Sequence, residues 1–435
     1  MTVSLRKIER RVEEIGKSRY AESLTLSNLK AELQDSEEGE VVYLSEGVRW
    51  GKRDSNYIVS FEVEIPAAWQ GQTLALNLNL STPHTHSLST IEGLLFLDGE
   101  PYHALDRYHR EIVLPPEKTG QPRLGVVVKL WTGIAADYHD VSKLELVRLN
   151  AAADALFLRM SMAVNAVKVL DENAPTRDAL LVALDAACQE LDFRQPNDIN
   201  VLQKSCEKAL AVLEKKWKAL ELENTDWQPN VIATGHAHID VAWLWRLKHV
   251  RLKAANTFSS VVYHMDRYKH FTFIQSQPRL YQYVKEDQPA LYERIKEKVK
   301  AGQWEPEGAM WVEADTNLTG AESLVRQFLF GQRFFRQEFG VTSKVLWLPD
   351  VFGYSAAVPQ LIKGAGADYF ITTKISWNET NRIPVDTFWW KGLDGTKVLT
   401  YFITAQNDDH SWNFYTYNGE MRPEALYLSW KNYRH

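Results

Sequence analysis

The stretch ATGHAHIDVAWLWR, residues 233–246, decides how the chain is read. It follows the apolar pair Val231-Ile232 and sets His236, His238 and Asp240 on alternating positions. Residues two apart in an extended chain point the same way. A short strand, VIATG, thus delivers two imidazoles and one carboxylate to one side of its C-terminal end. One imidazole and one carboxylate make half of a metal site, and mixed nitrogen and oxygen ligands suit Zn²⁺, with Co²⁺ or Mn²⁺ as alternatives. His236 shares the parity, so it is a third ligand or a group that supports one. A His beside an Asp also occurs as a hydrogen-bonded pair orienting a loop, and the pair alone does not separate the two readings.

Outward from this stretch, short apolar strands alternate with amphipathic helices. Candidate strands after VIATG are FTFIQS, WEPEGA, KVLWLP, DYFITT and KVLTYFI, and the segments between include LYERIKEKVKAGQ and AESLVRQFLFGQRFFRQEFG. Strand–helix–strand repetition predicts a parallel α/β catalytic domain over 227–435. Chemistry in such folds gathers at the C-terminal ends of strands. Gln275 and Gln277 follow the second strand, Glu307 lies at the third and Asp350 follows the fourth.

Upstream the texture changes twice. Residues 1–33 are expected to be a helix, with Ile8, Val12, Ile15 and Leu24 at helical spacing. Residues 34–150 alternate apolar and polar residues in NYIVSFEVEI, TLALNLNLS, EGLLFLDGEPY and RLGVVVKLW, and Asp98-Gly99 is a hairpin signal. This predicts a β-sandwich domain. Residues 151–226 carry helical periodicity and read as a connector, ending at the proline-containing NTDWQPN.

Composition removes several function classes. The net charge of −6 and the lack of a basic run argue against nucleic acid and anionic lipid as partners. No apolar run approaches the roughly 20 residues of a membrane span. The charged N-terminus lacks a secretory signal, and two cysteines, Cys188 and Cys206, form no disulfide framework. A cytoplasmic location is expected. Fifteen tryptophans and eighteen tyrosines offer flat faces for sugar rings, although core packing uses the same residues. Trp243 and Trp245 follow the half-site, and an exposed aromatic there could floor a sugar subsite. His84 and His86 lie in a Ser/Thr-rich loop and read as surface residues.

Asp350 completes the constellation. Val345-Leu346-Trp347-Leu348 leads into Pro349-Asp350, then Phe352-Gly353-Tyr354-Ser355. A carboxylate at a stiff strand exit can be a nucleophile, a metal ligand or a helix N-cap. Ser355 is the better cap for the following SAAVPQLIKGAG.

GHAHIDVAWLWR together with WLPDVFGYS resembles the α-mannosidases of glycoside hydrolase family 38. The likeness runs on through residues 273–335 and 366–402, and FLDGEPYHALDRYHREIVLP resembles the N-terminal β-domain of their cytosolic and bacterial branch. The resemblance implies an incomplete seven-stranded β/α barrel and a retaining α-mannosidase. It implies a divalent metal, Zn²⁺ first and Co²⁺ second, bound by His238, Asp240 and Asp350, with Asp350 also the nucleophile. Trp243 would stack on the mannose ring, and His236 stands behind the ligands. The substrate would be an α-mannoside or an oligomannose glycan; a homo-oligomer is compatible with all of this. The family's fourth ligand, a histidine, and its acid/base aspartate in a Gly-rich stretch have no counterpart here. The chain is therefore expected to be the N-terminal portion of a longer enzyme, with little activity alone. Glu307, Glu313, Asp315, Asp408 and Asp409 could line the site. A non-catalytic carbohydrate-binding protein and a metal-dependent carbohydrate deacetylase are the alternatives; the latter usually needs an H-x-x-x-H pair, which the sequence lacks.

Overall fold

Hydrophobic alternation organises the first third of the molecule into two antiparallel sheets. The computed structural model describes residues 4–34, 39–81, 90–194, 198–220, 231–378, 380, 381, 383–405 and 415–433. The four-stranded sheet runs Tyr20–Thr25, Lys143–Leu149, Leu74–Asn79, Glu111–Val113. The six-stranded sheet runs Val41–Leu44, Leu29–Leu33, Asn56–Glu64, Arg123–Trp131, Glu92–Leu97, Glu100–Leu105. Leu76, Leu78, Leu144 and Leu146 from the first meet Tyr57, Val59, Val126 and Val128 from the second in one buried core. Asp98 (φ 49°) and Gly99 (φ 88°) make the predicted hairpin turn, both in the left-handed region that a tight primed turn demands.

The expected helix over 1–33 is shorter. It spans Leu5–Lys17, and residues 20–25 and 29–33 are strands. Leu24 fell at helical spacing by coincidence and is exposed. Leu29, Ala31 and Leu33 are buried while Lys30 and Glu32 are not, the period of two that marks a strand. Ile8, Val12 and Ile15 instead pack with the three helices Ala151–Val169, Pro175–Gln189 and Ile199–Leu220. Cys188 and Cys206 are free thiols in that helical layer. Residues 221–226 of the connector, like His84, His86, Asp408 and Asp409, lie outside the described residues.

The remaining chain is mixed α/β. One parallel sheet holds Gly235–His236, Phe273–Gln275 and Trp304–Pro306. Another holds Val345–Leu348, Tyr369–Thr372 and Lys397–Phe402 in parallel, with Thr387–Lys391 added antiparallel at its edge. A single bridge, Gly308 to Leu346, joins them among the described residues. The VIATG strand is only two residues long: Val231 and Ile232 are 64% and 97% exposed, so apolar character there does not mean burial. The helix Leu247–Arg267 covers the first sheet, and its Phe258 and Val262 pack with Leu94 and Phe96 of the six-stranded sheet. Gly331 lets the helix Ala321–Phe339 lie on the turn after Trp304–Pro306: a Cβ there would stand 2.2 Å from the Ala309 carbonyl oxygen. No described helix is long and apolar enough to cross a membrane.

Candidate metal centre and its surroundings

Four separate strand ends supply the site. His238 and Asp240 follow Gly235–His236, Glu313 follows Trp304–Pro306, Asp350 follows Val345–Leu348 and Lys374 follows Tyr369–Thr372. Their convergence is what a parallel sheet produces, because every strand points its C-terminal end to the same side.

His238 is the hub. Its Nε2 lies 3.3 Å from Asp240 Oδ1 and 3.2 Å from Asp350 Oδ2. Its Nδ1 lies 2.9 Å from Glu313 Oε2. Ser276 donates to the other Glu313 oxygen at 2.6 Å, and the Glu313 amide donates to Gln277 Oε1 at 3.3 Å. Gln277 sits in the left-handed region (φ 61°) and donates from Nε2 to the Ile239 carbonyl at 2.9 Å. The second strand end thus braces the ligand loop.

The donor set fits a divalent ion. One atom each from His238, Asp240 and Asp350 lies within 4.8 Å of the other two, and no other such group occurs among the described residues. Tetrahedral ligands about 2.1 Å from one ion stand roughly 3.4 Å apart, the size of the two separations measured from Nε2. The Glu313 carboxylate stands within ion-pair distance of Nδ1, on the side of the ring away from the other two carboxylates.

Charge reinforces the fit. Burial opposes a charged imidazole, but the bonds to Asp240, Asp350 and Glu313 outweigh it and push the His238 pKa up to about 12. Asp350 is held below the ordinary carboxylate range: burial pushes it up, and His238 and Lys374 more than reverse that. A metal must displace the His238 proton before it can use Nε2. Between pH 6 and 8 the apparent dissociation constant for a divalent ion should therefore fall about tenfold per pH unit, one proton leaving per ion bound. Calorimetry in buffers of different ionisation enthalpy counts that proton directly.

Asp350 is gripped on its other side too. Lys374 Nζ lies 2.7 Å from Oδ1, with only 9% of its side chain exposed. The ammonium sits 3.6 Å from the Trp377 ring centroid and 4.9 Å from that of Phe352. The Tyr417 ring lies 5.2 Å from that of His238, and burial together with the negative charge of Asp350 raises the phenol's pKa. Neither Lys374 nor Tyr417 was singled out from the sequence. Lys374 was findable, since it directly follows the expected strand DYFITT; Tyr417 lies in no periodic segment.

The other expected residues divide. Trp243 is 56% exposed, edge-on to Trp245 with centroids 5.9 Å apart. His236 does not join the donor set: its Nδ1 donates to the Ile274 carbonyl at 3.2 Å, its ring lies 4.1 Å from Trp347, and burial lowers its pKa to about 4. Glu307 does not line the site. Its carboxylate accepts from the amides of Gly308, Val345 and Lys344 at 3.1, 3.0 and 3.3 Å. Asp315 accepts from the Asn317 and Leu318 amides and closes a turn. Ser355 is not an N-cap: the helix Val358–Gly364 starts after Ala357, and Ser355 Oγ accepts from the Ala357 amide at 3.3 Å. Gln275 is buried behind the strand.

A buried imidazole ringed by carboxylates from several strand ends suits a glycosyl hydrolase. Residues 228–435 match the family described as Glycosyl hydrolases family 38 N-terminal domain. The chain is 33% identical over 406 residues to alpha-mannosidase G of Dictyostelium discoideum, covering 89% of this chain and 35% of that protein. It is 34% identical over 361 residues to human alpha-mannosidase 2C1, covering 78% of this chain and 33% of that one. Against the alpha-mannosidase of Saccharomyces cerevisiae it is 39% identical over 218 residues, covering 48% of this chain and 20% of the yeast protein. The chain spans about a third of the length of the first two relatives.

Proposed function

We propose that this chain carries the metal-binding and nucleophile-bearing part of a retaining α-mannosidase. The observation that carries the reading is the meeting of His238, Asp240 and Asp350 at one point, with donor separations of 3.2 and 3.3 Å. His238, Asp240 and Asp350 would hold the ion, Zn²⁺ before Co²⁺. When bound, the ion supplies a positively charged template for sugar hydroxyls. Trp243 offers its exposed face to the ring. The Asp350 carboxylate attacks the anomeric carbon as the glycosidic C–O bond breaks, and a second carboxylic acid gives the leaving oxygen its proton. Water, giving a proton to that second carboxylate, then attacks the anomeric carbon of the glycosyl-enzyme ester, and Asp350 departs as a carboxylate, so configuration is retained. The Lys374 ammonium favours that ionised form both before attack and after release.

The substrates are α-mannosides or oligomannose glycans, and the place of action is the cytoplasm. On the same reading the two antiparallel sheets form a β-sandwich domain ending near 150, residues 151–226 connect, and 227–435 contribute the parallel strands of a seven-stranded β/α barrel. Proton magnetic resonance of mannose freshly released from an aryl α-mannoside tests the reaction. The α anomer must appear first; first appearance of the β anomer refutes retention. Turnover by these 435 residues alone would refute the expectation that the acid/base lies elsewhere.

A further inference from the structure

We propose that Lys253 is a positioning residue through which the β-unit sets the pose of Asp240, an inference that rests on reading His238, Asp240 and Asp350 as a metal site. The loop carrying the ligands has no ladder to hold it. Residues 237–246 belong to neither helix nor strand. Two side chains grip its carbonyls instead. Gln277 holds that of Ile239, and Trp245 donates from Nε1 to that of Asp240 at 3.0 Å. The angle of the Trp245 indole therefore governs where the Asp240 backbone lies.

That indole is fixed from across the interface. Lys253, on the helix Leu247–Arg267, places Nζ 4.0 Å from the Trp245 ring centroid and 5.5 Å from that of Trp131. The same ammonium meets both oxygens of Glu92 at 2.6 and 2.5 Å. Glu92 opens the strand Glu92–Leu97 and Trp131 closes the strand Arg123–Trp131, both in the six-stranded sheet. Trp131 is in turn tied by Nε1 to Asp54 at 3.0 Å, and Asp54 also pairs with Arg246 at the end of the ligand loop. Glu92, Trp131 and Asp54 all lie outside residues 228–435.

A buried ammonium is a poor choice if the only need is to fill space, since desolvation works against it. An apolar side chain would pack as well. What a cation adds is direction: it is held by a carboxylate on one side and attracts indole faces on the other. Removing it frees the Trp245 ring to turn and lets the Asp240 carbonyl move. The carboxylate four bonds away moves with it.

The test measures Co²⁺ affinity of the 435-residue chain, by its visible absorption and by competition with a chromophoric chelator. Three variants are compared with the wild type. Trp245→Phe keeps a ring over the ammonium and deletes the N–H. The double variant Glu92→Gln with Lys253→Met removes the cation without leaving an unpaired carboxylate. Lys253→Arg keeps charge and aromatic contact. The first two should bind Co²⁺ about 10–100-fold more weakly, the range for partners behind a ligand, and Lys253→Arg should stay within about threefold. A shifted Co²⁺ spectrum in Trp245→Phe would mark a changed coordination rather than a loosened fold. If Trp245→Phe binds like the wild type, the inference is overturned, even where the double variant does not fold. If the wild type binds no Co²⁺, the metal reading itself falls, a result separate from the first.

Discussion

On the proposed reading, Asp350→Asn is expected to end turnover of α-mannosides while leaving sugar binding largely in place. The amide has the shape of the carboxylate, and its oxygen can still accept from Lys374. It has no charge to bring to an anomeric carbon, and one of its two ends is now a donor facing the His238 ring. Knockouts of a nucleophile cost roughly 10⁴–10⁶-fold in kcat, and the loss here should fall in that range. The measurement pairs kcat on an aryl α-mannoside with mannoside affinity by calorimetry. Turnover within tenfold of wild type, the size a 1.4 kcal/mol change would give, rules out Asp350 as the nucleophile. It would also favour a purely sugar-binding protein, for which Asp350 has no special task.

The second large effect belongs to His238. Replacing it with Ala removes the one cationic group, among the described residues, that faces Asp240, Asp350 and Glu313 together. Divalent-ion affinity should fall by more than the roughly 10–100-fold that loss of an outer partner costs, because a direct donor is gone. The metal-free protein should lose stability as well. The folded pKa of His238, about 12, lies far above the ordinary value of 6.5. Its bound proton therefore stabilises the fold fully below about pH 6.5, and the gain fades as pH rises toward 12. At pH 7 nearly all of it is present. Breaking a buried pair costs about 3–5 kcal/mol, so urea unfolding at pH 7 without metal should show a loss of that order. Equal urea midpoints for the two proteins would mean that the carboxylates find another cation or take up protons.

Much of the candidate cluster was legible from position along the chain. His238 and Asp240 were picked out by strand alternation, although the strand ends at His236 and a loop carries both; Asp350 stands past a four-residue apolar strand with a proline at its exit. Strand-end position does not say which way a side chain turns, and there the reading failed. Glu307 and Asp350 both follow strands, yet Glu307 points at neighbouring amides and Asp350 at His238. Glu313 was named without a task, since its partner is 75 positions away in sequence and the intervening helices fix the meeting. The helix at the start was over-extended for a related reason: Leu24 fits one period and Leu29, Ala31, Leu33 the other, and only the packing of two sheets decides between them. The edge strand Thr387–Lys391 gave no apolar alternation to read, as Trp389 is 64% exposed.

The single bridge between Gly308 and Leu346 gives the site a mechanical side. The three-stranded and four-stranded sheets meet along a seam where Glu307's carboxylate takes the amides of Lys344 and Val345 in place of a neighbouring strand's carbonyls. His238 and Asp240 stand on one bank of that seam, Asp350 and Lys374 on the other. An ion held by all three ligands would rivet the two banks together. Filling the site would then stiffen the two sheets as one unit, and emptying it would leave a joint free to gape.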